Sequence, residues 1–392
     1  MAWLRIDWGL YIAALGLSLI GAVLVWSGTH VDVGPALAVR HLINTGIGVT
    51  MAVLLLRVDV RWIRATAPWL YLAGLMGLLL VLSPLGVTVN GSRSWIHLPG
   101  GFSLQPAELS KIALCVGLAM ILAEGRDTTR PPAWREVLTA WVLAGIPILL
   151  ILLQPDLGTA LVLGALTVGV VAASGAARRW TLAAIGGAGL AVLAAIRIPL
   201  LDSYQLDRLL AFADPARDPQ GIGYQTQQAR LAIGSGGWNG AGIGQGPQTQ
   251  GGFIPFQHTD FVFSIAGEEL GLLGSLGIMG LLLFVVLRAL WVALRTTDPF
   301  ARLVAVGVAG WLLFQTAENI GMNLGLMPVT GLPLPFLSYG GSSMFACWLA
   351  IGLVAACQRT HDGTDRRPAG RQLTFQDRGG RAPVSSTRGT PR

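Results

Sequence analysis

Apolar residues fall along this chain in long blocks, over approximately 8–27, 36–56, 67–86, 105–123, 137–153, 157–174, 181–201, 261–294, 303–325 and 339–357. A helix of about 20 residues crosses a hydrocarbon core of roughly 30 Å. The pattern therefore predicts an all-α polytopic membrane protein with about ten transmembrane helices. The eighth block is longer than one crossing needs, which predicts a tilted helix or one that begins in the interface. The first block continues to about Trp26 without a small-residue cleavage motif, so it reads as a span and not as a cleaved leader.

Composition agrees: 53% of residues are hydrophobic and 12% charged, against roughly 25% charged in soluble domains. An ordinary soluble enzyme is excluded. Cys115, Cys347 and Cys357 lie inside apolar blocks without metal or redox spacing and read as packing thiols. The net charge of +7 changes meaning once it is located, because Arg359 to Arg392 holds eight arginines against Asp362, Asp365 and Asp377. Five of the seven charges are tail. That reads as a disordered basic cytoplasmic tail (358–392) near anionic lipid, with no nucleic-acid partner.

The remaining arginines orient the spans, since Lys and Arg concentrate in cytoplasmic loops. Arg5 precedes the first span, and the alternate connections carry Arg57, Arg61 and Arg64, then Arg126, Arg130 and Arg135, then Arg178 and Arg179, then Arg295 and Arg302. The intervening connections hold only Arg93, apart from the 202–260 loop between spans seven and eight, which is long enough to translocate regardless of charge. Both termini are thus expected in the cytoplasm, with 202–260 a large extracytoplasmic loop.

This topology sets the depth of the ionisable groups, which are costly in lipid and mark function or buried pairing. Arg40, Glu108, Lys111, Asp156 and Asp260 come from different spans and share one level near the outer surface. Lys111 is the only lysine among 27 basic residues, so a compact ammonium is preferred there to a guanidinium fork; a purely structural Glu108/Lys111 pair remains an alternative. Glu268 and Glu269 lie below Asp260, and Glu318, Asn319 and Asn323 lie on span nine. At least one of each set is expected to face the interior.

Two outer connections have strong local character. Gly234-Ser235-Gly236-Gly237-Trp238-Asn239-Gly240-Ala241-Gly242 could bring backbone amides close to a ligand, and Tyr224, Trp238 and Phe253 around it argue for an ordered or membrane-dipping loop. Pro328 through Ser343 contains three prolines, so non-helical backbone enters the membrane edge, where protein or a polar cavity must satisfy it. His97 and His258 are too dispersed to make a zinc site.

Five motifs, Gln105-Pro106-Ala107-Glu108-Leu109-Ser110-Lys111, Gln154 to Thr159, Ala232 to Gly237, His258-Thr259-Asp260-Phe261 and Pro328 to Ser343, resemble those of the SEDS family, the RodA/FtsW peptidoglycan glycosyltransferases. The resemblance covers 1–357 as one ten-helix membrane domain, and Thr249 to Pro255 looks more RodA-like than FtsW-like. Two positions depart from the family pattern: Phe256 follows Pro255 where an acidic residue is usual, and Ala241 stands where a basic one is common.

The resemblance implies polymerisation of lipid II at the outer face of the bacterial cytoplasmic membrane, for elongation and cell shape or for division. Asp260 would be the catalytic base. Lys111 and Arg40 would bind pyrophosphate, Glu108 would orient Lys111, and Asp156, His258, Thr259, Gln105 and Ser338 would complete the substrate site. A divalent cation (Mg or Mn) could sit on Asp260 or Asp156. The implied partners are lipid II, membrane lipid and a class B penicillin-binding protein supplying transpeptidation. A lipid II flippase, or a scaffold for that transpeptidase, would share many of these features.

Overall fold

The computed structural model describes residues 7–89, 92–98, 102–123, 131–197 and 221–364. The chain order is α1 (Trp8–Ser27), α2 (His30–Val33), α3 (Ala36–Leu55), α4 (Val60–Leu82), β1 (Val87–Val89), β2 (Ser92–Leu98), β3 (Phe102–Leu104), α5 (Pro106–Ala123), α6 (Trp134–Leu152), α7 (Leu157–Ala173) and α8 (Arg178–Arg197). There follow α9 (Ile222–Ser235), α10 (Pro247–Gln250), α11 (Val262–Glu269), α12 (Gly271–Arg295), α13 (Pro299–Asn323) and α14 (Gly341–Thr364). Among the described residues eight helices are long and apolar enough to cross a membrane, and α7 is a shorter apolar helix of 17 residues. Every predicted block contains a helix. Residues 202–220 of the loop and 365–392 of the tail lie outside the described residues.

Aspartates start several of these helices. Asp7, Asp59, Asp156 and Asp298 each accept a backbone N–H of the first turn, at α1, α4, α7 and α13, which satisfies one of the donors that every helix leaves open at its amino end. At the arginine-rich end these caps are also neutralised: Arg288 Nε donates to Asp7 at 2.7 Å, and Arg64 pairs with Asp298 at 2.6 Å.

Burial sorts the bundle. In α5 and α14, 78% of the apolar window is buried, against 17% in α4 and 28% in α6. Lipid is therefore the solvent of α4 and α6, while α5 and α14 pack with α13 at the centre; α3 lies along α14.

Three expectations change. The all-α reading misses a three-stranded antiparallel sheet, β1-β2-β3, between α4 and α5. Its strands alternate β-formers with polar residues over short stretches, as in Val87-Thr88-Val89, Ile96-His97-Leu98 and Phe102-Ser103-Leu104. Arg93 anchors it by donating to the Ser83 carbonyl (2.7 Å), and Ser92 Oγ donates to the Gln154 carbonyl (2.6 Å). The helix ending the chain's last block continues to Thr364, past the expected tail boundary.

The eighth block is the third change, because it is two helices broken at Leu270-Gly271. The glycine-rich run fills the break. Ala241 and Gly242 N–H groups donate to the Glu268 and Glu269 carbonyls at the end of α11, while Gly237 and Trp238 carbonyls accept from Leu272 and Leu273 at the start of α12. Two of the amides offered for a ligand, those of Ala241 and Gly242, are thus spent on the end of α11, and two carbonyls of the run serve the start of α12, which explains how broken backbone survives at membrane depth.

Gly240 and Gly271 both have positive φ, and a methyl on Gly240 would overlap the Glu269 carbonyl. Gly240→Ala is expected to destabilise the protein by about 3 kcal/mol through strain and overlap, read as a lowered melting temperature in detergent. An unchanged melting temperature would mean that the break does not depend on this contact.

Candidate active site at the Asp260 end of the bundle

Glu108 and Lys111 occupy the first two turns of α5, three residues apart and on one face. Lys111 Nζ lies 2.6 Å from Glu108 Oε1, with side-chain exposures of 0% and 2%. It also donates to Gln315 Oε1 at 3.0 Å and stands 5.3 Å from the centre of the Trp311 ring. Trp311 Nε1 donates to the same Gln315 oxygen (2.6 Å), and the Gln315 amide turns its NH₂ to the Pro333 carbonyl (2.7 Å). The buried ion pair is thereby wired to the proline-rich connection.

The next residues on the same face of α13 continue the wiring. Asn319 Nδ2 donates to the Leu332 carbonyl (2.7 Å) and to the Asp260 carbonyl (2.8 Å), and Asn323 Nδ2 reaches the Asp260 carbonyl at 3.2 Å. Glu318 accepts from Thr330 Oγ1. Gln315 and Asn319 thus supply the Pro333 and Leu332 carbonyls with the donors that a helix would have supplied, in a segment where three prolines preclude one.

The His258-Thr259-Asp260 turn is built on the Phe256 carbonyl, which accepts from Thr259 N (3.0 Å) and Asp260 N (3.2 Å). Phe256 has φ +56°, in the left-handed region, as does Phe336 at +66°. Both follow a proline, and such strain persists only where surroundings fix it. Ser338 does so between the two segments: its Oγ donates to the Thr259 carbonyl and accepts from Leu334 N (2.8 Å). Tyr339 N donates to the His258 carbonyl (2.9 Å), and the two rings lie 5.8 Å apart. Burial holds the His258 imidazole below its usual range, favouring the neutral ring. Asp260 itself is half-buried.

On the other side of the site, Gln105 Nε2 donates to Asp156 Oδ2 at 3.3 Å, and Gln105 N donates to Ser342 Oγ at 2.9 Å. Burial raises the Asp156 carboxyl, and the hydrogen bonds from Thr159 oppose it; Lys111 and Glu108 act on it with opposite signs.

The structure therefore joins eight of the nine predicted residues in three linked groups: Glu108 with Lys111, Gln105 with Asp156, and His258, Thr259 and Asp260 with Ser338. Arg40 lies apart, exposed on α3. Glu268 and Glu269 are both buried, but they hold loop backbone and side chains: Glu268 accepts from Gln248 N and Thr249 N, and Glu269 from Ser27 and Gln250. Sequence reading missed Gln315 and Ser342. Gln315 precedes Glu318, Asn319 and Asn323 by three, four and eight residues, the spacing of one helix face, and that spacing was the signal.

Residues 3–362 match the family FTSW_RODA_SPOVE, described as cell cycle protein. The chain is 34% identical to "Peptidoglycan glycosyltransferase MrdB" of Escherichia coli (strain K12) over 89% of its own length and 92% of the relative's. It is 35% identical to "Probable peptidoglycan glycosyltransferase FtsW" of Trichlorobacter lovleyi, with the same coverage. Relatives of both names lie at near-equal identity, so identity does not separate the RodA-like from the FtsW-like reading.

Among solved structures, the rod shape determining protein RodA of Thermus thermophilus matches with a TM-score of 0.68 and 33% identity, over 92% of this chain and 98% of that one. A chain from a structure described as "Structural coordination of polymerization and crosslinking by a peptidoglycan synthase complex" matches with a TM-score of 0.77 and 36% identity, over 92% and 99%. A family match over nearly the whole membrane domain, with the same fold in its solved relatives, makes this chain a member of the FtsW/RodA/SpoVE family.

Proposed function

We propose that the chain is a peptidoglycan glycosyltransferase that polymerises lipid II at the extracytoplasmic face of the bacterial cytoplasmic membrane. The observation that carries this reading is the convergence of Asp260, the Glu108/Lys111 pair and Asp156 at one end of the bundle, on supports that reach every one of them. The arginine-rich caps at the opposite end support the orientation, since that end would face the cytoplasm.

In the reaction, the 4-hydroxyl of one lipid-linked sugar attacks the anomeric carbon of another. The new glycosidic bond forms as the bond to undecaprenyl diphosphate breaks, and the hydroxyl proton passes to Asp260. The leaving group is already anionic and needs positive charge more than it needs a proton. Lys111, expected as a diphosphate contact, is wholly enclosed and its ammonium is committed to Glu108 and Gln315. Its role is one of positioning: it fixes Gln315, hence Pro333 and the segment against the Asp260 turn. Glu108 orients it, as expected.

A divalent cation, if the reaction uses one, would be held by the carboxylate of Asp260 or Asp156. Among the described residues no three His, Cys, Asp or Glu groups assemble a metal nest. When bound, the cation would add positive charge beside the diphosphate. The relative solved in a peptidoglycan synthase complex supports a transpeptidase partner, a class B penicillin-binding protein.

A lipid II analogue lacking the 4-hydroxyl tests the reaction. It can donate but cannot accept, so mixed with ordinary lipid II it is expected to yield strands ended by a single terminal addition, with release of undecaprenyl diphosphate. Movement of the intact analogue across a vesicle bilayer, with no new glycosidic bond, would instead support a flippase.

A further inference from the structure

Asp260 stands in a segment that closes on itself. Upstream, α10 is a single turn (Pro247–Gln250); downstream, α11 carries Glu268 about 12 Å along the chain from Asp260, at the helical rise per residue. The Glu268 side chain is fully buried and returns to α10, where its carboxylate accepts from Gln248 N (2.7 Å), Thr249 N (2.8 Å) and Thr249 Oγ1 (2.7 Å). Glu269 fastens the same turn to the end of α1, accepting from Gln250 Nε2 (3.2 Å) and Ser27 Oγ (2.5 Å). Neither glutamate has an ion pair among the described residues.

A buried carboxylate with three donors is a strong anchor, and a helix as short as α10, which has no stability of its own, gives little reason for it. What the anchor fixes is the Thr249 carbonyl, which accepts from Gln257 Nε2 (3.1 Å). The same nitrogen donates to the Gly28 carbonyl at the end of α1 (2.7 Å), and Gln257 is 5% exposed. Gln257 directly precedes His258-Thr259-Asp260. On one side that turn is held through its own carbonyls, by Tyr339 N, Ser338 Oγ and Asn319 Nδ2. On the side of α1 and α10, Gln257 holds it.

We propose that Glu268 and Gln257 are positioning residues for Asp260. Glu268 fixes Thr249, Thr249 and Gly28 fix the Gln257 amide, and that amide sets the direction in which the turn presents the Asp260 carboxylate to the acceptor hydroxyl. A displacement of about 1 Å at a reacting group costs up to about a hundredfold in rate. Because the two residues act in series through one contact, their effects do not add. The inference rests on the proposed reaction and names the residues that aim its base.

The test uses the purified full chain with Gln257→Met, which keeps the side-chain length and removes both donations, and Glu268→Gln, which turns an NH₂ toward the donors of α10. With lipid II as substrate each is expected to lower kcat about tenfold or more while KM stays within about twofold. The double variant is expected to fall no further than Gln257→Met alone. The turn itself is read, without substrate, by electron paramagnetic resonance of a nitroxide on Asp260→Cys; Cys115, Cys347 and Cys357 are buried, out of reach of the label. Gln257→Met is expected to increase the motion of that label but not of one on Leu231→Cys, an exposed position on α9. Wild-type kcat in a folded Gln257→Met variant, effects that multiply in the double variant, or an unmoved label at Asp260 would overturn the proposal. So would equal loosening of both labels, which marks a merely structural role. A label loosened at Asp260 alone, in a chain that never polymerises lipid II, would refute the proposed reaction and leave the positioning intact.

Discussion

Asp260→Asn is expected to lower the rate of glycan synthesis about a thousand-fold, the scale of losing a general base, in a protein that still folds. The substitution is nearly isosteric. It leaves the backbone carbonyl that Asn319 and Asn323 hold, and it leaves the bonds from Thr259 N and Asp260 N to the Phe256 carbonyl. Asparagine cannot take a proton from the acceptor hydroxyl. The melting temperature should therefore stay near that of the wild type while turnover collapses, and a loss of both together would mean that the aspartate serves the fold.

Lys111→Met is expected to be severe for the opposite reason. It removes one member of a pair in which both side chains are almost fully buried, and so strands the Glu108 carboxylate without a counter-charge. Breaking a buried pair in this way costs about 3–5 kcal/mol. The double variant Glu108→Gln, Lys111→Met should recover much of the melting temperature, because no charge is left buried, yet remain slow, because Gln315 loses the ammonium that fixes it. If the double variant melted as low as the single one, the damage would lie in packing and not in the stranded charge. Lys111→Arg should also be poorly tolerated, since a larger guanidinium must fit an enclosed space shared with Gln315 and Trp311.

Much of this was legible in the sequence because lipid imposes simple rules. Block length gave the helices, arginine placement gave the two ends, and the depth of Glu108, Lys111, Asp156 and Asp260 placed them at one level. The parts that were not legible have non-local causes. The break at Leu270-Gly271 depends on a glycine run some thirty residues upstream, and nothing singles out Gly271 among the five glycines of its apolar block. The same run advertised ligand-binding amides, but the end of α11 claims those of Ala241 and Gly242, and the start of α12 claims the Gly237 and Trp238 carbonyls. The sheet between α4 and α5 is too short for its alternation to stand out from a polar loop.

Lys111 shows the difference between depth and exposure. Its singularity among the basic residues marked it as special, and the structure explains this by a compact ammonium shared between Glu108 Oε1 and Gln315 Oε1. Its enclosure, however, depends on Trp311 and Gln315 from a distant span. Arg40 is the converse, a cation expected at the same level that stands exposed on α3, apart from the three groups.

The central claim is that this chain alone forms the glycosidic bond at the Asp260 site. Its most direct test is incubation of the purified chain, free of any penicillin-binding protein, with lipid II and a divalent cation, followed by electrophoresis of the products. Glycan strands from the wild type and none from a folded Asp260→Asn variant are the expected result; strands of equal length and yield from both would contradict it.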